Sequence, residues 1–264
     1  MAHADGDRMD WARRWERFLN FGDGEPVVPE GAELATLNAV LDSPERHANR
    51  PIVIAERLFA LPHGSSVVRE ALRPVLRARY WRSPKSSIPS HRGPPGCITV
   101  AVHVRRGDVT EVKHAYRFVS HEFVLRQIAR VKEALAPFGR PMTINIYSEG
   151  ASAEFSAFAQ AGCNLYVSED AFETFHNMVI ADVLVVGCSS FSYVAGALSE
   201  GIVLGHRRGD RRLSNWIGRR RDGDVPIARL RRAMLQRMGW RMLYAYRGRR
   251  FWRWLRHRLR AIVS

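Results

Sequence analysis

The chain has 264 residues, 46% of them apolar and 25% charged, with 41 basic and 26 acidic side chains for a formal net charge of +15. That balance excludes a disordered chain, and the length fits one large domain or two small ones. The charge is uneven: residues 205–264 carry nineteen Arg against three Asp, a net of +16, while the remainder is close to neutral at −1.

The first eighteen residues are polar and lack the apolar core of a secretory signal. Residues 9–20 place Trp11, Trp15, Phe18 and Leu19 on one side of a short amphipathic helix. A Gly-, Pro- and acid-rich loop follows at 21–31, then a short strand at 51–55. Residues 67–80 are helix-like, with Pro74 expected to kink the helix or end a turn. Residues 83–96 hold four prolines and read as a linker or surface loop, which sets an expected domain boundary there.

Beyond the boundary the pattern is regular. Strands are expected at 97–104, 142–147, 164–167, 183–187 and 202–204, alternating with helices at 120–138, 153–161, 174–181 and 191–199. Such alternation predicts a parallel sheet covered on both faces, a Rossmann-like half. Met178 to Leu198 comes nearest to a membrane span but is interrupted by Asp182 and a serine cluster. Cys97, Cys163 and Cys188 form no CxxC pair or zinc spacing and read as reduced, mostly buried thiols. The expected location is cytoplasmic or peripheral to a membrane.

Three strand ends carry polar clusters, and in a parallel sheet they share one rim. The first is His103-Val104-Arg105-Arg106-Gly107-Asp108, the second Ser148-Glu149, the third Ser189-Ser190-Phe191-Ser192. Charged groups at the end of a buried strand are costly to desolvate unless paired. Two adjacent guanidinium forks suit phosphate oxygens, and a serine-capped helix start faces an anion with free N–H groups and a positive dipole. A phosphate-bearing ligand is therefore expected. GxGxxG and Walker A sequences are absent, which removes the dinucleotide and P-loop readings. Plainer readings stand beside this one: a structural ion-pair network for the arginines, a core histidine for His103, an ordinary N-cap for the serines, a capping carboxylate for Asp182. Asp5-Gly6-Asp7 and Asp222-Gly223-Asp224 mimic a metal-binding DxD but follow no convincing strand.

Residues 98–108 resemble the HxRRxD peptide of the α1,2-, α1,6- and protein O-fucosyltransferase superfamily. Residues 181–199 resemble its downstream peptide, with the SSFS core at 189–192. Residues 144–150 are similar to the segment between them. The resemblance implies an α/β, GT-B-like fold: a reduced N-terminal acceptor-side region (1–95), a C-terminal Rossmann-like nucleotide-sugar domain (96–210) and an Arg-rich helical tail (211–264). It implies inverting, metal-independent transfer of fucose from GDP-fucose, with no cofactor, to a glycan or protein acceptor; the alternatives are a transferase using another nucleotide sugar, or a non-catalytic Rossmann-like module whose basic tail binds anionic membrane or nucleic acid. Arg105, His103 and Asp108 would be catalytic, Arg105 on the β-phosphate and Asp108 shaping the arginine loop. His103, Arg105, Arg106, Ser148, Glu149, Asp182, Ser189, Ser190, Phe191 and Ser192 would line the donor site. The general base is open among Glu149, Asp108 and His103, and the GGLGNQ-like peptide of many α1,2 members is missing.

The tail holds two basic amphipathic blocks, 227–246 and 249–263, in which apolar residues alternate with Arg. Contact of 226–264 with an anionic membrane is expected ahead of nucleic acid. Packing of the apolar side on the domain is the plainer reading.

Overall fold

The computed structural model describes residues 8–22, 24, 32–35, 39, 42–47, 52–54, 65–205, 213, 216–218 and 225–238. The chain divides into two compact units, one of residues 6–84 with 209–213, the other of 85–208 with 1–5 and 214–264.

The smaller unit contains helix α1 (Arg8–Leu19), strand β1 (Glu33–Ala35), helix α2 (Pro44–His47), strand β2 (Ile52–Ile54) and helix α3 (Ser65–Arg82). β2 is the strand expected at 51–55; its parallel partner β1 carries no periodic signal in the sequence. α3 continues through Pro74 instead of ending there. α1 and α3 meet through an aromatic edge, Phe18 on Tyr80 at 5.7 Å, with Trp15 of α1 set edge-on against Phe18 at 5.5 Å, and Tyr80 is fully buried. Such edge-to-face pairs add to the area that the rings bury. The Ser83 hydroxyl donates to the Arg17 carbonyl at 2.8 Å and closes the α1 C-terminus.

The larger unit is a six-stranded, wholly parallel sheet. Its strands are β3 (Ile98–His103), β4 (Met142–Ser148), β5 (Asn164–Val167), β6 (Val183–Val185), β7 (Ile202–Gly205) and β8 (Ile217–Gly218), in the spatial order β5-β4-β3-β6-β7-β8. This is the 3-2-1-4-5-6 order of doubly wound dinucleotide-type sheets. The connecting helices are α4 (His121–Leu135), α5 (Ser156–Gln160), α6 (Ala171–Ile180), α7 (Ser190–Leu198) and, after β8, α8 (Ile227–Met238).

Side chains alternate across a strand, and here the two faces differ in chemistry. Ile98, Val100, Val102, Ile144, Ile146, Val183, Val185 and Leu204 join Val124, Ile128, Val131 and Leu135 of α4 and Leu230 and Met234 of α8 in one apolar core. The intervening positions pair as Thr99 with Thr143, Ala101 with Asn145 and His103 with Tyr147. This face is polar because part of its cover is irregular backbone, whose N–H and C=O groups need partners. The Asn145 amide donates to the His91 carbonyl at 2.8 Å, and Gly93 N–H donates to the Thr99 hydroxyl at 3.2 Å. Part of the proline-rich stretch read as a linker or surface loop, around His91 and Gly93, thus lies against the sheet.

The helices run antiparallel to the strands, so their N-termini gather at the strand-end rim. Ser120, Asp170 and Ser189 cap three of them with side-chain oxygens. The opposite edge collects helix C-termini, whose free carbonyls attract cations. Lys132 Nζ reaches the Ala161 carbonyl at 2.7 Å, Arg231 the Ala134 carbonyl at 3.1 Å, and Arg237 the Glu200 carbonyl; at the same edge Arg140 binds the Gly96 carbonyl, in the turn before β3, at 2.6 Å.

Candidate functional site

In a doubly wound sheet the crevice opens beyond the strand ends where the order reverses. Here that point lies between β3 and β6, the strands that precede the arginine loop and the serine-capped helix. The topology therefore brings the first and third polar clusters to one crevice, with Glu149 of the second beside them.

His103 ends β3 and is 8% exposed. Its ring lies 5.8 Å from Phe191, and its Nδ1 is buried without a hydrogen-bond partner. Gly187, at the end of β6, packs against it: a Cβ there would sit 2.8 Å from Nδ1 and 2.8 Å from the His103 carbonyl oxygen. Glycine is what admits the imidazole. An orphaned buried nitrogen is rare and calls for a reason, of which a ligand group is one. Burial, with help from the Arg105 charge, pushes the imidazole down to about 3, so it is neutral at working pH.

His176 on α6 is likewise held down, to about 4, by burial and then by Lys85. Both folded values lie below the unfolded value near ~6.5. On acidification the unfolded chain therefore takes up these protons first, and the stability present above about pH 6.5 is lost progressively toward pH 4 and 3. The urea midpoint of the wild type should fall steadily below about pH 6.5, and a His103→Asn variant should show a shallower fall. A midpoint unchanged down to pH 4.5 would show that these imidazoles are not held neutral.

The loop after β3 is organised by its two arginines in different ways. Arg105 reaches the rim, where it pairs with Asp108 and approaches Glu149 Oε1 at 3.8 Å. Burial alone would raise the Asp108 carboxyl, but the charge and hydrogen bond of Arg105 bring it below its ordinary value. Gly107 sits at φ +75°, and a Cβ there would run into the Glu149 carboxylate. Glycine serves both the left-handed turn and the close approach. Arg106 turns inward: it donates to the Arg105 carbonyl at 2.9 Å and the Val119 carbonyl at 2.7 Å, with its guanidinium 4.3 Å from the Phe118 ring. It staples the loop and does not face the crevice.

The serines also divide. Ser189 caps α7 by accepting from Phe191 N–H at 3.2 Å, and Ser190 is exposed in the first turn. Ser192 is fully buried and donates back to the Ser189 carbonyl at 3.3 Å, so it is not a ligand group. Phe191 lies between His103 and Phe175 as a packing residue. Ser148 donates to the Val104 carbonyl at 2.8 Å and ties the ends of β3 and β4 together. Asp182 requires a correction. It precedes β6 and so lies at the edge of the sheet opposite the crevice, where it accepts from Thr99 N–H at 2.9 Å and from Arg92 at 3.1 Å.

One cluster has no counterpart in the sequence reading. His91 stacks on Tyr166 with ring centroids 3.7 Å apart; its Nε2 lies 2.6 Å from Glu173 and its Nδ1 3.2 Å from the Tyr147 hydroxyl. Tyr147 is fully buried and its hydroxyl pKa is raised by that burial. Its strand position, in register with His103, was the available signal; His91 itself, inside a proline-rich stretch, gave none.

Among the described residues no group of three or more His, Cys, Asp or Glu side chains is placed to hold a metal ion. The two DxD mimics, at 5–7 and 222–224, and the second tail block, 249–263, lie outside the described residues. No described helix is long and apolar enough to cross a membrane.

No family model matches the chain, and no curated protein does. Among solved structures it is distantly similar to POFUT1 in complex with GDP, at 14% identity and a TM-score of 0.32 over 62% of this chain and 57% of that one. It is similar to the same degree to POFUT1 in complex with GDP-fucose, over 62% and 55%. The chain thus spans little more than half the length of these structures.

Proposed function

We propose that this chain is a glycosyltransferase-type enzyme whose larger unit holds the diphosphate of a nucleotide sugar, with GDP-fucose as donor and a glycan or protein hydroxyl as acceptor. The observation that carries the reading is the convergence, at the switch point of the sheet, of Arg105, the partnerless Nδ1 of His103 and the N-terminus of α7. The guanine base and the fucose rest on the peptides at 98–108 and 181–199 alone.

In this reading the acceptor oxygen attacks the anomeric carbon from the face opposite the diphosphate. The bond from that carbon to the diphosphate oxygen breaks, its electron pair leaves with the diphosphate, and the acceptor proton passes to a base. Charge grows on the leaving group, where Arg105 and the free N–H groups of the α7 first turn would meet it. His103 is held neutral, so its partnerless Nδ1 can make a hydrogen bond to the ligand. Glu149 and Asp108 are the carboxylates at the rim.

Calorimetric titration of the full chain with GDP, GDP-fucose, UDP and ADP tests the reading. Selective binding of GDP and GDP-fucose is expected. Selective binding of another nucleotide would keep the transferase reading and change the donor. Binding of none would overturn it.

A further inference from the structure

The sheet edge opposite the crevice has a chemistry that the proposed reaction does not use. Lys132, Arg140, Arg231 and Arg237 each donate to a backbone carbonyl there, and Arg92 and Arg237 lie 3.1 and 3.8 Å from one oxygen of Asp182. These contacts fix the cations without enclosing them: the Arg92 side chain is 46% exposed and that of Arg237 34%. A guanidinium has five donors, so one or two carbonyl or carboxylate bonds leave a fork open to solvent.

α8 determines where the tail starts. Its Leu230 and Met234 are buried in the core, and Arg231 binds carbonyls of Glu133 and Ala134 at the end of α4. The apolar side of 227–238 is therefore covered by the domain, and the membrane contact expected for 226–264 cannot include it. Arg237 brings the end of α8 to Glu200 and Asp182, so the chain past Met238 sets out from the basic edge. The next 26 residues contain eight arginines, six aromatic residues and no acidic one, and fourteen of them are apolar.

We propose that this edge and the chain continuing from it dock on an anionic lipid surface. Arginine forks match lipid phosphates, and the negative potential of such a surface attracts basic segments. Nucleic acid would use the arginines equally. A segment with more apolar residues than arginines, tryptophans prominent among them, is better matched by a hydrocarbon–water interface. The crevice at 103–108 and 187–192 lies at the other end of the strands, so a docked domain keeps it open to water.

Full-length protein should sediment with phosphatidylcholine vesicles containing about 30% phosphatidylserine at least about tenfold more tightly than with phosphatidylcholine alone, and less so as salt rises. Trp240→Ala with Trp252→Ala and Trp254→Ala should weaken that binding, as should Arg92→Gln with Arg140→Gln. Because Arg140 also holds the Gly96 carbonyl and Arg92 the Asp182 carboxylate, hydrogen exchange on wild-type protein gives an independent reading. Vesicles should protect amides at 92, 93, 96, 97, 140, 200 and 201 and leave 105–116 unchanged. Equal binding to both vesicle types, protection of the crevice loop, or tighter binding to single-stranded RNA than to the anionic vesicles would each overturn the proposal.

Discussion

Arg105→Ala should abolish calorimetrically detectable GDP binding and lower kcat/KM for transfer by about two to three orders of magnitude. Removing the guanidinium takes away the fork at the crevice and does more. It also removes the cation that Asp108 and Glu149 share in the free protein, so more of their negative charge faces the incoming diphosphate. Repulsion then adds to the lost attraction, so the effect should exceed that of a single deleted hydrogen bond. Arg105→Lys keeps the charge without the planar fork and should recover only part of the loss. Fold stability should barely change, because partly exposed ion pairs contribute about 0–1 kcal/mol. An Arg105→Ala protein that unfolds at the wild-type urea midpoint and still binds GDP at wild-type affinity would remove Arg105 from the site.

His91→Ala should destabilise the larger unit by about 3 kcal/mol. The imidazole is nearly buried, stacks on Tyr166 and bridges Glu173 to the Tyr147 hydroxyl. Its removal leaves the buried phenol with only a long 3.5 Å contact to Asn145 and empties a space between rings. Tyr147→Phe, which deletes only the hydroxyl, should cost about 1 kcal/mol. The double variant should lose less than the two singles together, because they share one hydrogen bond. Urea unfolding curves measure all three. A loss below about 1 kcal/mol for His91→Ala would mean that the stretch before β3 is a loose cover after all.

The larger unit was legible because its signals are strong and local. Apolar runs such as 98–102 and 183–186, separated by amphipathic helices, determine strand and helix without tertiary context. The 3-2-1-4-5-6 order was not readable in this way, since pairing order depends on which strand ends meet across long separations. β8, two residues long, and β1, three, fall below any periodic signal.

The candidate site divides along the same line. Residue type marked 103–108 and 189–192 as unusual, but direction sorted them. Arg106, Ser148 and Ser192 turn to backbone carbonyls, as hydroxyls and guanidiniums do whenever a buried carbonyl is in reach. Asp182 entered the donor site through the resemblance of residues 181–199 alone, although a strand expected at 183–187 already places it at the end away from the crevice. It stands before β6 and not after it. His91 was missed because a histidine among prolines has no periodicity to betray that it is buried.

The hydrogen bond from Thr99 N–H to Asp182 also bears on the order in which the domain assembles. It joins residues 83 apart in sequence, whereas the tie between Val104 and Ser148 spans 44. Closing a longer loop costs more chain entropy before any contact compensates it. The β3–β4–β5 half and the β6–β7 pair can thus each form from nearer neighbours, and the pairing of β3 with β6 closes the longest loop. The seam between the halves is a pairing of Val100–Val102 with Val183–Val185, and Asp182 sets its register from one end. Since the crevice straddles that same seam, the nucleation order places the ligand site at the junction completed last.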